Sequence, residues 1–533
     1  MAISVIPVSS LVKIFSHEAL SSLPRTSRLS LLCGEKSAVQ FAVVADSDCE
    51  TEFSADCALP VEAGTVREIY SDRACIDDRP ANCTVLNNAD IGFYPDLIEP
   101  ACGKLTLEKG KTLGVYCEVC GAEPGTYPLV FKAGGESAAV EVYVSSAKMP
   151  VQTLMCTNWF HTDCIMSYYG IEAFSDEYWR ITENFVRNAV SHGINMILTP
   201  VFTLALDTAV GSERPTVQLI DVTKKGYDYT FDYANFDRWV AMCLDCGVKY
   251  FEISHLFTQW GAKHAPKIMA HTSTGYRRIF GWETNSVSRG YMSFLRQLGA
   301  SFKEHTDALG ITDICYVHCS DEPGGRDIVR YRRCAAAVGD FFSAFVHMDA
   351  LSDYKYYSKG LVDLPVPCES DIDKFRGRVD RLWTYYCCGP FENEYPNRFL
   401  FLPLVKMRVI GVLLYKYGCE GFLHWGFNFW YSQFSRRPVD PFTETTAGGN
   451  FPAGDGFIVY PGENGRPMCS IREKSFRDGV RDYEALKALE KKKGARYAAD
   501  YIKRTLGDIT FTSYPLDTAV FEEFANGLAK ELE

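Results

Sequence analysis

The sequence predicts an α/β protein, a (β/α)8 TIM barrel preceded by an N-terminal β-sandwich domain. Three observations predict it. Residues up to about 145 read as strands and turns, short apolar runs alternate with longer amphipathic stretches from residue 150 onward, and eight such runs occur before residue 426. The expected division is 1–147 for the sandwich, 148–492 for the barrel and 493–533 for a C-terminal helical extension.

In the first region Ala38–Ala45 and Thr112–Val119 are compact apolar runs. Gly125–Lys132 and Ser137–Val144 flank Ala-Gly-Gly-Glu, a hairpin signal. Val140, Val142 and Val144 alternate with Glu141, Tyr143 and Ser145, so one face is apolar. Pro128 has no amide to donate, which predicts an edge position for its strand. Ser145–Pro150 reads as the linker.

The predicted barrel strands are Val151–Asn158, Asn195–Thr199, Lys249–Ile253, Ile314–Cys319, Phe345–Asp349, Leu361–Val366, Arg381–Tyr385 and Gly421–Trp425. Predicted helices between them include Asp176–Ser191, Asn235–Cys246, Arg289–Leu309, Arg326–Val338 and Phe399–Tyr417, with Lys474–Lys491 after the eighth strand.

Composition narrows the function. With 67 acidic and 55 basic residues the chain carries a net charge of −12, which argues against nucleic-acid or anionic-membrane partners. No apolar run approaches membrane-spanning length and no signal-peptide pattern opens the chain, so a cytoplasmic location is expected. The 20 cysteines are irregularly spaced, several within apolar runs (Cys156, Cys315, Cys419), as suits reduced buried thiols. Cys117/Cys120 and Cys243/Cys246 would have to meet to hold zinc, yet one pair lies in a β-rich region and the other on a predicted helix. No Walker loop, dinucleotide fingerprint or HExxH signature is present, so neither metal nor cofactor is expected.

Active sites of such barrels lie at the C-terminal ends of the strands. Those ends read Asn158-Trp159, Thr199-Pro200, Glu252 with His255, Ser320-Asp321-Glu322-Pro323, Asp349, Tyr385-Tyr386 and His424-Trp425. The fourth puts two adjacent carboxylates at the mouth. Both can face a pocket only if the chain breaks pleat there, and Pro323-Gly324-Gly325 makes such a break natural. Adjacent acids repel, so one holds its proton, as general-acid cleavage of a glycosidic bond requires. The plain alternative is that Asp321 caps the next helix and Glu322 solvates its first turn.

A retaining glycosidase of the two-carboxylate kind needs a nucleophile about 5 Å from the acid. The seventh strand, where many barrels place it, ends Trp-Thr-Tyr-Tyr-Cys-Cys, with no acid until Glu392. That favours a substrate-assisted route. The sugar's 2-acetamido oxygen attacks its own anomeric carbon, Asp321 orients the amide, and Glu322 protonates the leaving oxygen. Tyr385, with Tyr386 next in line, holds the acetamido carbonyl. Trp159, Trp260, Trp282, Trp383 and Trp425 are candidate sugar platforms, Trp260 and Trp425 foremost. His161, His255, Glu252, Asp349 and Asn428 are candidate hydroxyl ligands, while His318, inside its strand, reads as a core histidine.

Ser-Asp-Glu-Pro after the fourth strand, Trp-Thr-Tyr-Tyr-Cys-Cys-Gly-Pro after the seventh and Gly-Phe-Leu-His-Trp-Gly-Phe-Asn at the eighth resemble glycoside hydrolase family 123. They resemble even more closely its relatives grouped as domain of unknown function 4091. Phe251–Ala262 and Gly456–Gly462 share the likeness, which covers roughly residues 150–490. The resemblance implies a β-sandwich followed by a (β/α)8 barrel, and exo-β-N-acetylgalactosaminidase activity by the substrate-assisted route with its Asp–Glu pair at Asp321 and Glu322. The expected function is therefore a metal-independent, retaining exo-β-N-acetylhexosaminidase preferring galactosamine to glucosamine. Its rivals are a two-carboxylate glycosidase with Glu252 or Glu392 as nucleophile, and a non-catalytic carbohydrate-binding protein on the same scaffold.

Overall fold

The computed structural model describes residues 2–72, 91–390 and 394–533. The N-terminal region holds two five-stranded sheets. One runs in the order Ile3–Ser9, Lys36–Ala45, Thr112–Cys120, Val61–Ser71, Gly92–Pro100. The other runs Arg28–Cys33, Glu136–Lys148, Gly125–Ala133, Cys49–Asp56, Lys104–Leu107. Alternation along these strands delivers Val39, Phe41, Val43 and Val115 from one sheet and Leu129, Phe131, Val140 and Val142 from the other into a single core. Phe41 and Phe131 stack across it at 4.7 Å.

The hairpin turns at Gly134-Gly135, both with positive φ, as glycine allows without steric cost. Its first strand is not at an edge, contrary to the expectation from Pro128: Gly125–Ala133 pairs on its other side with Cys49–Asp56. That pairing stops at Asp56 opposite Val130, so the missing amide of Pro128 falls where no neighbour needs it.

All eight predicted barrel strands are present and parallel, as Met155–Asn158, Met196–Thr199, Tyr250–Ile253, Cys315–Val317, Val346–Ala350, Leu364–Val366, Trp383–Tyr385 and Gly421–His424. A parallel bridge between Cys368 and Tyr385 joins the sixth strand's end to the seventh. Met155, Met196, Leu198, Tyr316, Met348, Leu364, Trp383 and Leu423 cluster together in the core that also holds Tyr385. The helices lie at Asp176–Ser191, Ala234–Cys246, Arg289–Leu309, Ile328–Phe341, Val405–Tyr417 and Ile471–Lys493. A further sheet is added outside the barrel, in the order Asp228–Asp232, Asp221–Lys225, Ile268–Thr272, Gly275–Phe280. Its two hairpins occupy stretches for which the sequence predicts no strands. Among the described residues no helix is long and apolar enough to cross a membrane.

Val405–Tyr417 is buried almost all round because Ile471–Lys493 lies hard against it. A Cβ on Gly411 would stand 1.7 Å from the Gly479 carbonyl oxygen. Gly411→Ala is therefore expected to destabilise the fold by about 3 kcal/mol, because separating the helices outweighs the roughly 1 kcal/mol that alanine gains in helix propensity. A lowered urea midpoint at unchanged m-value checks it, and an unshifted midpoint rules out the close packing.

Candidate active site

A cavity of about 240 Å³ opens at the C-terminal mouth of the barrel, and Asp321 and Glu322 both line it. The fourth strand's exit is pinned from both sides. Asp349 accepts from the amides of Cys319 and Ser320 at 3.0 and 3.2 Å, and the Ser320 hydroxyl donates to the Thr258 carbonyl at 2.9 Å. The Trp260 amide then donates to the Asp321 carbonyl and the Glu322 amide to that of Ala350. The expected break in the pleat falls at Glu322 itself, whose φ is 42°. The next helix begins at Ile328 with Asp327 at its N-cap, so Asp321 is free of the capping role.

Left-handed backbone gathers at this mouth. Besides Glu322, Asp207, Trp260, Ala262, Phe434 and Ser435 all have φ between 38° and 61°. Such conformations are held only where surrounding contacts over-determine them, and they concentrate at functional sites.

Loss of hydration, then the neighbouring Glu322 charge, pushes the Asp321 carboxyl well above its ordinary range, with His318 pulling the other way. The sequence reading has one of the two acids hold its proton and Glu322 deliver it; burial in the structure favours the protonated form of Asp321. Glu322 instead receives a hydrogen bond from the Tyr385 hydroxyl, at 2.5 Å to Oε1.

Beneath the pair lies a buried ion-pair network. Burial alone would neutralise His318, but its ring nitrogens donate to Asp349 Oδ1 at 3.1 Å and Glu252 Oε1 at 2.6 Å, and its pKa is pushed up to about 9. His318 is thus a core histidine, but a charged one at neutral pH. His255 stacks on it at 4.3 Å and is held neutral by burial and by that charge.

Of the predicted site residues, Asp321, Glu322, Tyr385, Trp260, Trp425, His161 and Trp159 line the cavity. Glu252, Asp349, His255, Asn428 and Trp383 do not, which corrects their assignment as direct ligands. Glu252 is fully buried, accepting from Trp159 Nε1 at 2.6 Å, from Thr157 and from His318. Asp349 also takes the Tyr331 hydroxyl and His347; burial alone would raise it, but His347 and His318 hold it below the usual carboxylate range. Asn428 clasps the His161 backbone at both its amide and its carbonyl. Trp383 fills the barrel interior against Gly421. Glu252, Asp349 and Trp383 belong to barrel strands, His255 and Asn428 to the segments that follow them, and all five are buried away from the cavity. Trp282 is bonded to the Ser212 carbonyl and Tyr386 is buried against Phe422 and His424, away from the cavity.

The aromatic wall is built by the loop after the eighth strand. Trp425 packs against Phe429 and Phe451 at 4.9 and 5.2 Å, and its indole N–H donates to Asp455 Oδ2 at 3.0 Å. His161 Nε2 donates to the Trp425 carbonyl, while its Nδ1 faces Arg214, itself paired to Asp163 in the core. Trp260 stands at the rim, 44% exposed.

Asp207, Gln259, Cys387 and Cys388 also line the cavity and were not among the predicted site residues. Burial pushes Asp207 up to about 6. Nothing in its local sequence marks Asp207, which sits in a long connection, whereas Gln259 was legible as the neighbour of Trp260. Glu392 lies outside the described residues. Among the described residues three groups could bring metal-ligand atoms within 4.8 Å of one another: His192/Cys469/Glu473, His255/His318/Asp349 and Cys319/His347/Asp349. The last two share Asp349, whose oxygens are already engaged as described.

A family model described as glycoside hydrolase 123, catalytic domain, matches residues 159–489. No curated protein matches the chain. Among solved structures, a family 123 glycoside hydrolase from Clostridium perfringens, studied for glycolipid glycan hydrolysis, is similar over 99% of both chains, with a TM-score of 0.76 at 16% identity. A family 5 mannosidase from Rhizomucor miehei reaches a TM-score of only 0.34 at 8% identity over 62% of this chain and 94% of its own. A β-galactosidase-like protein from Bacteroides fragilis reaches 0.32 at 7% identity over 85% and 59%. With the family match spanning most of the sequence and the barrel mouth carrying an acid pair in a carbohydrate-sized cavity, this chain belongs to glycoside hydrolase family 123.

Proposed function

We propose that the protein is a retaining exo-β-N-acetylhexosaminidase, preferring galactosamine, that works through the substrate's own 2-acetamido group. The observation that carries this reading is the pairing of Asp321 and Glu322 in one cavity while the end of the seventh strand presents Tyr385 rather than a carboxylate. The two-carboxylate rival loses Glu252, which is committed to Trp159, Thr157 and His318.

Burial and the Glu322 charge favour the protonated form of Asp321 before substrate arrives. An acetamide N–H donating to Asp321 favours its ionised form, so binding moves that proton off Asp321, and Glu322 is the adjacent acceptor. Glu322 then protonates the leaving oxygen as the acetamido oxygen closes on the anomeric carbon, and Asp321 balances the charge on the amide nitrogen. Water opens the cyclic intermediate, with Glu322 now the base. Tyr385 holds Glu322 in the free site; with the ring bound, its hydroxyl is within the same cavity to support the acetamido carbonyl.

A panel of aryl β-glycosides tests the mechanism. Substrates bearing a 2-acetamido group should turn over, their 2-hydroxyl counterparts should not, and a thiazoline mimic of the cyclic intermediate should inhibit competitively. Comparable hydrolysis of a 2-hydroxyl substrate would overturn the substrate-assisted route in favour of the two-carboxylate rival.

A further inference from the structure

Two polar side chains at the mouth have no part in these proton transfers. Asp207 follows the second barrel strand and Gln259 the third; both line the cavity, yet they are only 9% and 6% exposed. Gln259 Oε1 accepts from the Asp207 amide at 2.5 Å, which orients the carboxamide and leaves Nε2 buried with no partner. Asp207 Oδ2 accepts from the Phe434 amide at 2.8 Å, and among the described residues Oδ1 has no donor. The Ser435 hydroxyl donates to the Asp207 carbonyl at 2.7 Å, so three hydrogen bonds with two segments hold this residue in its left-handed conformation. On two cavity-lining residues that are hydrogen-bonded to each other, an open carboxylate oxygen thus accompanies a buried amide donor without a partner. Buried polar groups of this kind call for a partner.

We propose that Asp207 and Gln259 form the subsite that reads the sugar hydroxyls remote from the anomeric carbon, Asp207 accepting from one hydroxyl and Gln259 Nε2 donating to its neighbour. This rests on the reading of the cavity as a β-N-acetylhexosaminide site. The C1–C2 edge of the ring must face Asp321 and Glu322 after strand four, and the apolar ring face has Trp425, Phe429 and Phe451 after strand eight. The hydroxyls on C3, C4 and C6 are left for the wall built after strands two and three. A buried acceptor–donor pair rejects a ring that has hydrogen in place of hydroxyl, because both groups then stay unpaired.

The test is a cycle between residue and hydroxyl. kcat/KM is measured for the unaltered protein, Asp207→Asn and Gln259→Ala on an aryl β-N-acetylgalactosaminide and its 3-, 4- and 6-deoxy analogues. Asparagine tolerates left-handed backbone, so Asp207→Asn keeps the fold while removing the charged acceptor. For at least one analogue the unaltered protein should lose about 10²-fold or more. Each variant should lose a similar factor on the parent sugar but little further on the analogue that lacks its own hydroxyl partner, since residue and hydroxyl deletions then remove one interaction. Losses that multiply for every analogue would overturn the subsite. If either variant fails to fold, as thermal unfolding shows, the other carries the same test. Turnover of the parent sugar by the unaltered protein checks the underlying reading: without it the proposed function fails and this subsite with it, whereas turnover with multiplying losses overturns the subsite alone.

Discussion

Glu322→Gln and Asp321→Asn are each expected to lower kcat on a poorly activated aryl β-N-acetylhexosaminide by about 10²-fold or more. The two losses should differ in kind. Glutamine at 322 removes the proton donor but keeps an amide oxygen for the Tyr385 hydroxyl, so geometry survives and only protonation of the leaving group is lost. A dinitrophenyl leaving group needs little protonation, and the Glu322→Gln deficit should shrink sharply with it. Asp321→Asn acts on the internal nucleophile instead. Its deficit should persist whatever the leaving group, because a neutral side chain cannot balance the charge growing on the amide nitrogen. Near-normal rates in either variant, or deficits with the same leaving-group dependence, would remove the role assignment.

Asp96→Ala is expected to cost about 3–5 kcal/mol of stability, the cost of leaving one member of a buried ion pair alone. Asp96 lies on the N-terminal strand Gly92–Pro100 and Arg472 on the helix after the eighth barrel strand, and both side chains are fully buried. The guanidinium contacts both carboxylate oxygens at 2.8 and 2.9 Å, and the Tyr460 hydroxyl adds a third bond to Asp96 at 2.6 Å. Removing the carboxylate strands a charge that burial has already desolvated. Arg472 also donates to the carbonyls of Arg398, Gly454 and Phe457, the last two flanking the Asp455 that holds Trp425. A raised KM should therefore accompany the lower urea midpoint. A stability change below about 1 kcal/mol would show that the pair contributes little to joining the two regions.

The architecture was largely legible from apolar periodicity. Eight short runs spaced by amphipathic stretches can bury both sheet faces only by closing on themselves under helices, and each predicted strand is found within a few residues of its place. The acid pair at the cavity was legible too, because Asp-Glu followed by Pro-Gly-Gly at a strand end is a local statement of chain reversal and charge. The predicted ligands Glu252, Asp349 and His255 fared differently. They stand at strand ends as expected, but whether such a side chain faces the cavity or its floor depends on one residue of register in a two-residue period. It depends also on His318, whose charge draws Glu252 and Asp349 beneath the site.

What the linear order of residues determined by itself was the barrel, the position of its mouth and the acid pair there, since each follows from neighbours in the chain. Only the tertiary structure decided which polar groups reach the cavity: the amide that anchors Asp207 belongs to Phe434, 227 positions away. Likewise, the Asp321 carboxyl is pushed above its ordinary range chiefly by burial, and desolvation belongs to a folded surface rather than to a string of letters.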